Sequence, residues 1–206
     1  MSLTMNPSLY HITHGKNLTS ILEHGLLSLT LMHTQGRAFS DLSFAHIQDR
    51  RARKTVSVGL GGVLHDYVPF HFCPRSPMLG AKHIAVDVKQ EHILTLRTDL
   101  AAVQAAQVTF VFTDGHPTMA FSDFYEDPTD FVRLDWNAIE SRSWGGEANQ
   151  DRRRRKEAEF LVYQCLPTSA FLEIGVLTSR VAERVQQIVH KAGLKVPVNV
   201  QANWYF

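Results

Sequence analysis

The apolar positions change period several times along the chain, and the changes mark its elements. "SLYHITH", residues 8 to 14, reads as a short strand. The run that follows, "KNLTSILEHGLL", carries Leu18, Ile21 and Leu22 at helical spacing and stops at Gly25. A polar loop near Thr34 to Ser40 leads to "AHIQDRRARK", a helix kept short by the β-branched residues and glycines of "TVSVGLGGVLHDY". "VPFHF" is a strand, broken by "PRSPM". "HIAVDV" and "VTFVFT" are strands, and "DLAAVQAAQ" between them is a helix capped by Asp99. Asp114 to Asn149 is irregular, rich in aromatics, Asp, Pro and Gly, with one helix near Trp136 to Ser141. Strands return at "AEFLVY", "LEIGVL" and "VPVNV", and a helix over about Ser179 to Lys191 separates the last two. Helices and strands mix without a regular βαβ repeat, so the pattern predicts an α+β fold.

With 206 residues and 44% hydrophobic positions the chain can bury one sizeable core. No repeat, low-complexity tract or long linker divides it, so a single domain over residues 1–206 is expected. Lys and Arg number 21 against 20 Asp and Glu, so any footprint for a nucleic acid or a membrane has to be local. Cys73 and Cys165 lie far apart with no CxxC spacing, which is the usage of a reducing compartment. No apolar run approaches the roughly 18 residues of a membrane span, and the N-terminus has no apolar signal core. A soluble, cytoplasmic protein is expected.

Several constellations invite chemistry. His11 and His14 of "HITH" fall on opposite faces of a strand, and no third ligand cluster follows, so no metal site is expected. "GLGG", Gly59 to Gly62, lacks the Lys-Ser/Thr of a P-loop and reads as a turn. His65 and Asp66 are sequence neighbours, which on an extended segment sends them to opposite faces and argues against a dyad. On the helix of "DRRAR", Arg50 and Arg53 share a face and Arg51 points about 100° away, so either all are solvated or Arg51 turns inward, where its charged fork suits a phosphate, a carboxylate or a base edge. In "RRRRKEAEFLV", a strand beginning near Glu157 puts Glu157, Glu159, Leu161 and Tyr163 on one face and Phe160 and Val162 on the other. Spacing alone leaves Glu159 as either a solvated acid or a carboxylate held against a cationic transition state.

The blocks "LYHITHGKNLTSILEHGLL", "AHIQDRRARKTV", "GGVLHDYVPFHFCPRSPML", "FVFTDGH", "LDWNAIESRSW" and "KEAEFLVY" occur in this order and cover the chain from about Leu9 to the terminal "WYF". In this combination the chain resembles the DarT toxins, DNA ADP-ribosyltransferases of bacterial toxin-antitoxin pairs. The resemblance implies an ADP-ribosyltransferase (PARP-like) fold, a split mixed β-sheet flanked by helices that clamps NAD+ as co-substrate, without a metal. It implies transfer of ADP-ribose to a base of single-stranded DNA, thymidine in the better-known branch and guanosine in another. It also implies a macrodomain antitoxin that reverses the modification. By matching positions, Glu159 of "EAEF" looks like the catalytic glutamate and Arg51 of "DRR" like the essential arginine. His11, Ile12 and Thr13 of "YHITH" look like part of the NAD+ contact, joined by Ser20, Ser28 and Arg51. The segment from about His116 to Lys156, arginine run included, looks like the substrate-reading loop.

The chemistry implied is consistent with these residue types. Cleaving the bond between nicotinamide and ribose develops oxocarbenium character, which a carboxylate such as Glu159 can stabilise. An arginine at position 51 suits the NAD+ phosphates or a deprotonated base. Single-stranded DNA calls for aromatic platforms and local positive charge. Phe121, Phe124, Tyr125, Trp136 and Trp144 are the candidate platforms and Arg152 to Arg155 the candidate charge. Rival readings are a same-fold transferase acting on guanine, RNA or protein, and a non-catalytic module that binds NAD+ or DNA. Arg51 and Glu159 together speak against the module, and a hydrolase reading finds no assembled nucleophile and base.

Overall fold

The computed structural model describes residues 5–80, 88–143 and 150–206. The expected strand at "HIAVDV" therefore falls, apart from Val88, outside the described residues, as does Trp144. In chain order the strands are β1 (Ser8–His14), β2 (Leu26–Leu27), β3 (Tyr67–His71), β4 (Ile93–Asp99), β5 (Phe110–Thr113), β6 (Phe124–Tyr125), β7 (Glu159–Tyr163), β8 (Cys165–Leu166), β9 (Glu173–Val176) and β10 (Val198–Val200). The α-helices are α1 (Leu18–His24), α2 (Leu29–Thr34), α3 (Ala45–Arg51), α4 (Leu100–Ala105), α5 (Trp136–Glu140), α6 (Gln150–Lys156) and α7 (Ser179–Lys191).

Local chemistry sets several of these boundaries. The helix after β1 ends at Gly25, whose φ of +82° is costly for any residue with a side chain. A Cβ there would also meet Cys165 Sγ at 2.8 Å and Leu166 O at 2.9 Å. Asp99 caps α4 by accepting from Ala102 N at 2.8 Å, as its position predicts. Thr178 does the same for α7 through Val181 N, and this helix buries Val185 and Val189 against the sheet. The Asp114 to Asn149 segment holds β6, a 3₁₀ turn over Pro128–Arg133 and α5.

Among the described residues eight strands form one sheet in the order β10-β9-β4-β1-β3-β7-β5-β6, antiparallel except for the parallel pair β10 and β9. Strands β2 and β8 form a separate small ladder. The large sheet is nearly divided in two. β1 is zipped to β4 from Ser8↔Asp99 to His14↔Ile93, and β3 to β7 from Tyr67↔Tyr163 to His71↔Glu159. Between the halves, β1 and β3 meet at Tyr10↔His71 alone. Pro69 in β3 has no N–H to give to a ladder, so the chain on this side cannot zip further. Helices α1, α4, α5 and α7 pack on one face, where the main core gathers residues such as Leu18, Phe70, Leu96, Phe112, Phe160 and Val189.

The "RRRRKEAEFLV" expectation needs a correction. The chain stays helical through Lys156, Glu157 N donates to the carbonyls of Arg153 and Arg154, and β7 begins at Glu159 rather than near Glu157. The alternation beyond that point is as expected: Phe160 and Val162 enter the main core, while Leu161 and Tyr163 pack with Val56, Leu64 and Tyr67.

Candidate active site at the split in the sheet

The seam opens into a cavity of about 190 Å³, walled by the end of β1, by β3, by α1 to α3 and by the loop over residues 38–43. His11 reaches across the seam, its Nδ1 2.8 Å from the Pro69 carbonyl. A carbonyl only accepts, so Nδ1 carries the proton, and Nε2 keeps its lone pair. Burial pushes the His11 pKa down and outweighs the opposing pull of Pro69 and Glu159, so the ring stays neutral at pH 7.

Arg51 closes the last turn of α3 and is buried, at 6% exposure, while Arg50 and Arg53 are exposed. Its Nη1 donates to both carboxylate oxygens of Glu159, at 3.0 and 2.8 Å. One nitrogen thus serves both oxygens, and Nη2 is buried without a protein partner among the described residues. Glu159 sits behind Arg51 at the first position of β7, with its backbone N–H donated to Thr113 Oγ1 at 3.1 Å. Burial by itself raises the Glu159 carboxyl, but Arg51, His116 and His71 together overcome it, and the net shift is downward. His71, opposite Glu159 in the sheet, is held neutral by burial with a pKa of about 4, and its Nδ1 is a second buried atom without a protein partner among the described residues. A buried ion pair adds little to stability compared with well-packed apolar residues. Two orphaned polar atoms beside it indicate a site built for a polar ligand rather than for folding.

The cavity wall brings together His11, Ile12, Thr13, Ser20, Ser28 and Arg51, which the sequence scatters over three elements and their connections. Ser28 caps α2, accepting from Leu31 N at 3.3 Å while its own N–H is donated to Gln164 O. Asn17 holds the 38–43 loop in place: its amide exchanges two hydrogen bonds with the Ser40 backbone, at 2.8 and 3.0 Å, and gives a third to Thr13 Oγ1. Asn17, Gln48, His71 and Thr113 were not singled out by sequence, and His65 was weighed only as half of a dyad with Asp66. The Gln48/Arg51 spacing on a helix and a proline inside "VPFHF" were the available signals.

The expected substrate-reading segment begins just after Thr113, which meets Glu159 from the other side. Thr113, which accepts from Glu159 N, ends β5 and donates to Gly115 O at 2.7 Å, and His116 follows in the loop to β6. Arg154 of α6 stitches this loop down through Asp114 (3.3 Å) and Ser122 (3.2 Å), and also binds Asp151 (3.0 Å). Arg153 pairs with Glu157, and Arg155 with Asp135 and Asp151. The expectation that Arg152 to Arg155 act together as free positive charge is thereby narrowed to Arg152, which contacts only the Ser141 hydroxyl at 3.0 Å among the described residues. The aromatics separate too. Phe121 is 84% exposed, whereas Phe124, Tyr125 and Trp136 are half-buried and packed.

The family model described as "ssDNA thymidine ADP-ribosyltransferase, DarT" matches residues 10–206. The DNA ADP-ribosyl transferase of Thermus sp. (strain 2.9) is 40% identical over 204 residues, covering 96% of this chain and 95% of that protein. The structure of Thermus sp. 2.9 DarT in complex with ADP-ribosylated ssDNA superposes with a TM-score of 0.89 over 97% of this chain and 96% of that one. Its complex with NAD+ gives 0.84, at 36% identity and covering 97% and 98%. Family model, relative and superposition converge on one conclusion: this chain belongs to the DarT family of single-stranded-DNA thymidine ADP-ribosyltransferases.

Proposed function

We propose that the protein transfers ADP-ribose from NAD+ to thymidine in single-stranded DNA and releases nicotinamide. The observation that carries this reading is the buried Arg51–Glu159 pair beside the cavity, with Arg51 Nη2 and His71 Nδ1 left unsatisfied. The cavity suits NAD+: it offers a guanidinium donor, a neutral His11 acceptor and an apolar wall that includes Ile12, Leu26, Leu42 and Val68. His11, Ile12, Thr13, Ser20, Ser28 and Arg51 hold the dinucleotide, and the 114–123 loop with α6 meets the DNA.

In the reaction the bond from ribose C1′ to the nicotinamide nitrogen breaks, a bond from C1′ to the imide nitrogen of thymine forms, and that nitrogen loses its proton. Positive charge grows on the sugar as the first bond stretches, and the Glu159 carboxylate, ionised at neutral pH, orients the ribose and stabilises that charge. Arg51 keeps Glu159 ionised and in place through Nη1 and has Nη2 free for a phosphate or for the deprotonated base. The chain works as a single domain in the cytoplasm, opposed by a macrodomain antitoxin. Among the described residues no helix is long and apolar enough to cross a membrane.

The test is to incubate the protein and its Glu159→Gln variant with NAD+ and a mixed-sequence single-stranded DNA pool and to read intact DNA masses. Addition of one ADP-ribose on thymidine by the unmutated protein, with at least a ~100-fold loss in the variant, is expected. Near-normal turnover by Glu159→Gln would remove Glu159 from the chemistry. Modification of guanine, RNA or protein instead would reassign the acceptor.

A further inference from the structure

Gln48 lies one turn before Arg51 on the same face of α3, and both line the cavity. Its Oε1 is 2.8 Å from Nε2 of His65, which also lines the cavity. An amide oxygen only accepts, so His65 carries its proton on Nε2, and this contact turns the Gln48 amide so that its NH2 group points away from the imidazole. Among the described residues that NH2 has no protein partner, and neither has Arg51 Nη2. The cavity wall's carboxylate, Asp41, is already engaged by Ser43 N at 2.8 Å. One helical face therefore presents two unused donor groups, one cationic and one neutral. A face of this kind is complementary to a group that only accepts and carries negative charge.

We propose that Gln48, oriented by His65, donates to a diphosphate oxygen of NAD+ alongside Arg51. Gln48 is then a binding residue for the co-substrate and His65 a positioning residue that acts through it. The inference rests on the reading that NAD+ occupies this cavity. Losing a hydrogen bond to a charged oxygen costs affinity, and His65 fixes which end of the amide faces the ligand.

Equilibrium binding of NAD+, ADP and adenosine to the whole protein and its variants tests the assignment, since ADP and adenosine differ by the diphosphate alone. Gln48→Ala is expected to weaken NAD+ and ADP about tenfold and to leave adenosine unchanged. Gln48→Glu, which sets a carboxylate against the phosphates, should lose more than Gln48→Ala. His65→Ala should weaken NAD+ and ADP about threefold, with recovery in His65→Gln, which keeps a donor; equal affinity in His65→Ala would remove the positioning role. Equal losses for ADP and adenosine, a loss for NAD+ alone, or no loss at all would overturn the diphosphate assignment. Unfolding midpoints identify a folding defect, and Gln48→Met then replaces Gln48→Ala at similar volume. If the unmutated protein binds neither NAD+ nor ADP, the co-substrate reading itself fails and takes this assignment with it.

Discussion

Two short helices carry arginines toward the same glutamate-bearing strand, and they use them in opposite ways. In α3 one arginine of two is buried, shares a single nitrogen with Glu159 and leaves its other terminal nitrogen unsatisfied. In α6 a cluster of four is spread over protein partners: Arg152 on Ser141, Arg153 on Glu157, Arg154 on Asp114, Asp151 and Ser122, Arg155 on Asp135 and Asp151. Number of charges is therefore a poor guide to function here. What separates the helices is hydrogen-bonding capacity left over after folding. α3 keeps a buried donor for a ligand, and α6 spends its arginines on protein partners, Arg154 among them fastening the loop that follows β5.

Substitutions that cut each helix from its partners should separate the two roles. Arg51→Ala leaves the Glu159 carboxylate buried and uncompensated, and we expect a loss of about 3 to 5 kcal/mol in urea unfolding together with loss of turnover. Arg51→Met combined with Glu159→Leu should recover most of that stability and none of the activity; a double variant as unstable as Arg51→Ala would mean that the pair holds the fold together. Next in size is the pH response of His71. Its folded pKa of about 4 lies below the unfolded value, so between pH 6.5 and 4 the unfolded chain binds a proton that the folded chain refuses. Stability is then lost as pH falls through that window, by about 3 kcal/mol at most, and His71→Gln should flatten the curve. For α6 the expected effects are smaller. Arg154→Ala should cost on the order of 1 to 2 kcal/mol and raise KM for DNA more than KM for NAD+, because it frees the loop and not the cavity. Smallest is Arg152→Ala, with unfolding unchanged within about 0.5 kcal/mol and a shallower salt dependence of DNA binding. A slope identical to that of the unmutated protein would return Arg152 to plain surface.

Much of the fold could be read from local pattern. β1 spans Ser8–His14 and α7 Ser179–Lys191, as the sequence predicts, because each is specified by its own residues and, for α7, by the Thr178 cap. β4 was not predicted. Ile93 to Leu96 are all buried, Thr95 included, so the run shows no polar face and no clean alternation. The helix α6 was missed for a different reason. It has hardly any apolar residue to display a period, and its support comes from acid–arginine pairs at i,i+3 and i,i+4, Asp151 with Arg154 and Arg155, and Arg153 with Glu157. That spacing stood in the sequence and would have placed the helix. The Arg51–Glu159 contact joins residues 108 positions apart, a distance that no local pattern can bridge, so it was visible only through resemblance to a family. Gln48 had no such help, since its standing depends on which end of an amide His65 holds.

The single-residue seam between β1 and β3 has a consequence for how such a protein can change over time. One half-sheet carries His11, Ile12 and Thr13, and the other carries Glu159 together with the loop and helix that follow from β5. Because the halves share one register pair, and the His11 bond that crosses it reaches a proline carbonyl, insertions and substitutions between Thr113 and Lys156 shift few contacts in the half that lines the cavity with β1. New acceptor preferences can accumulate on one half while the other is preserved unaltered, so a lineage can exchange its target without rebuilding the machinery that handles the donor.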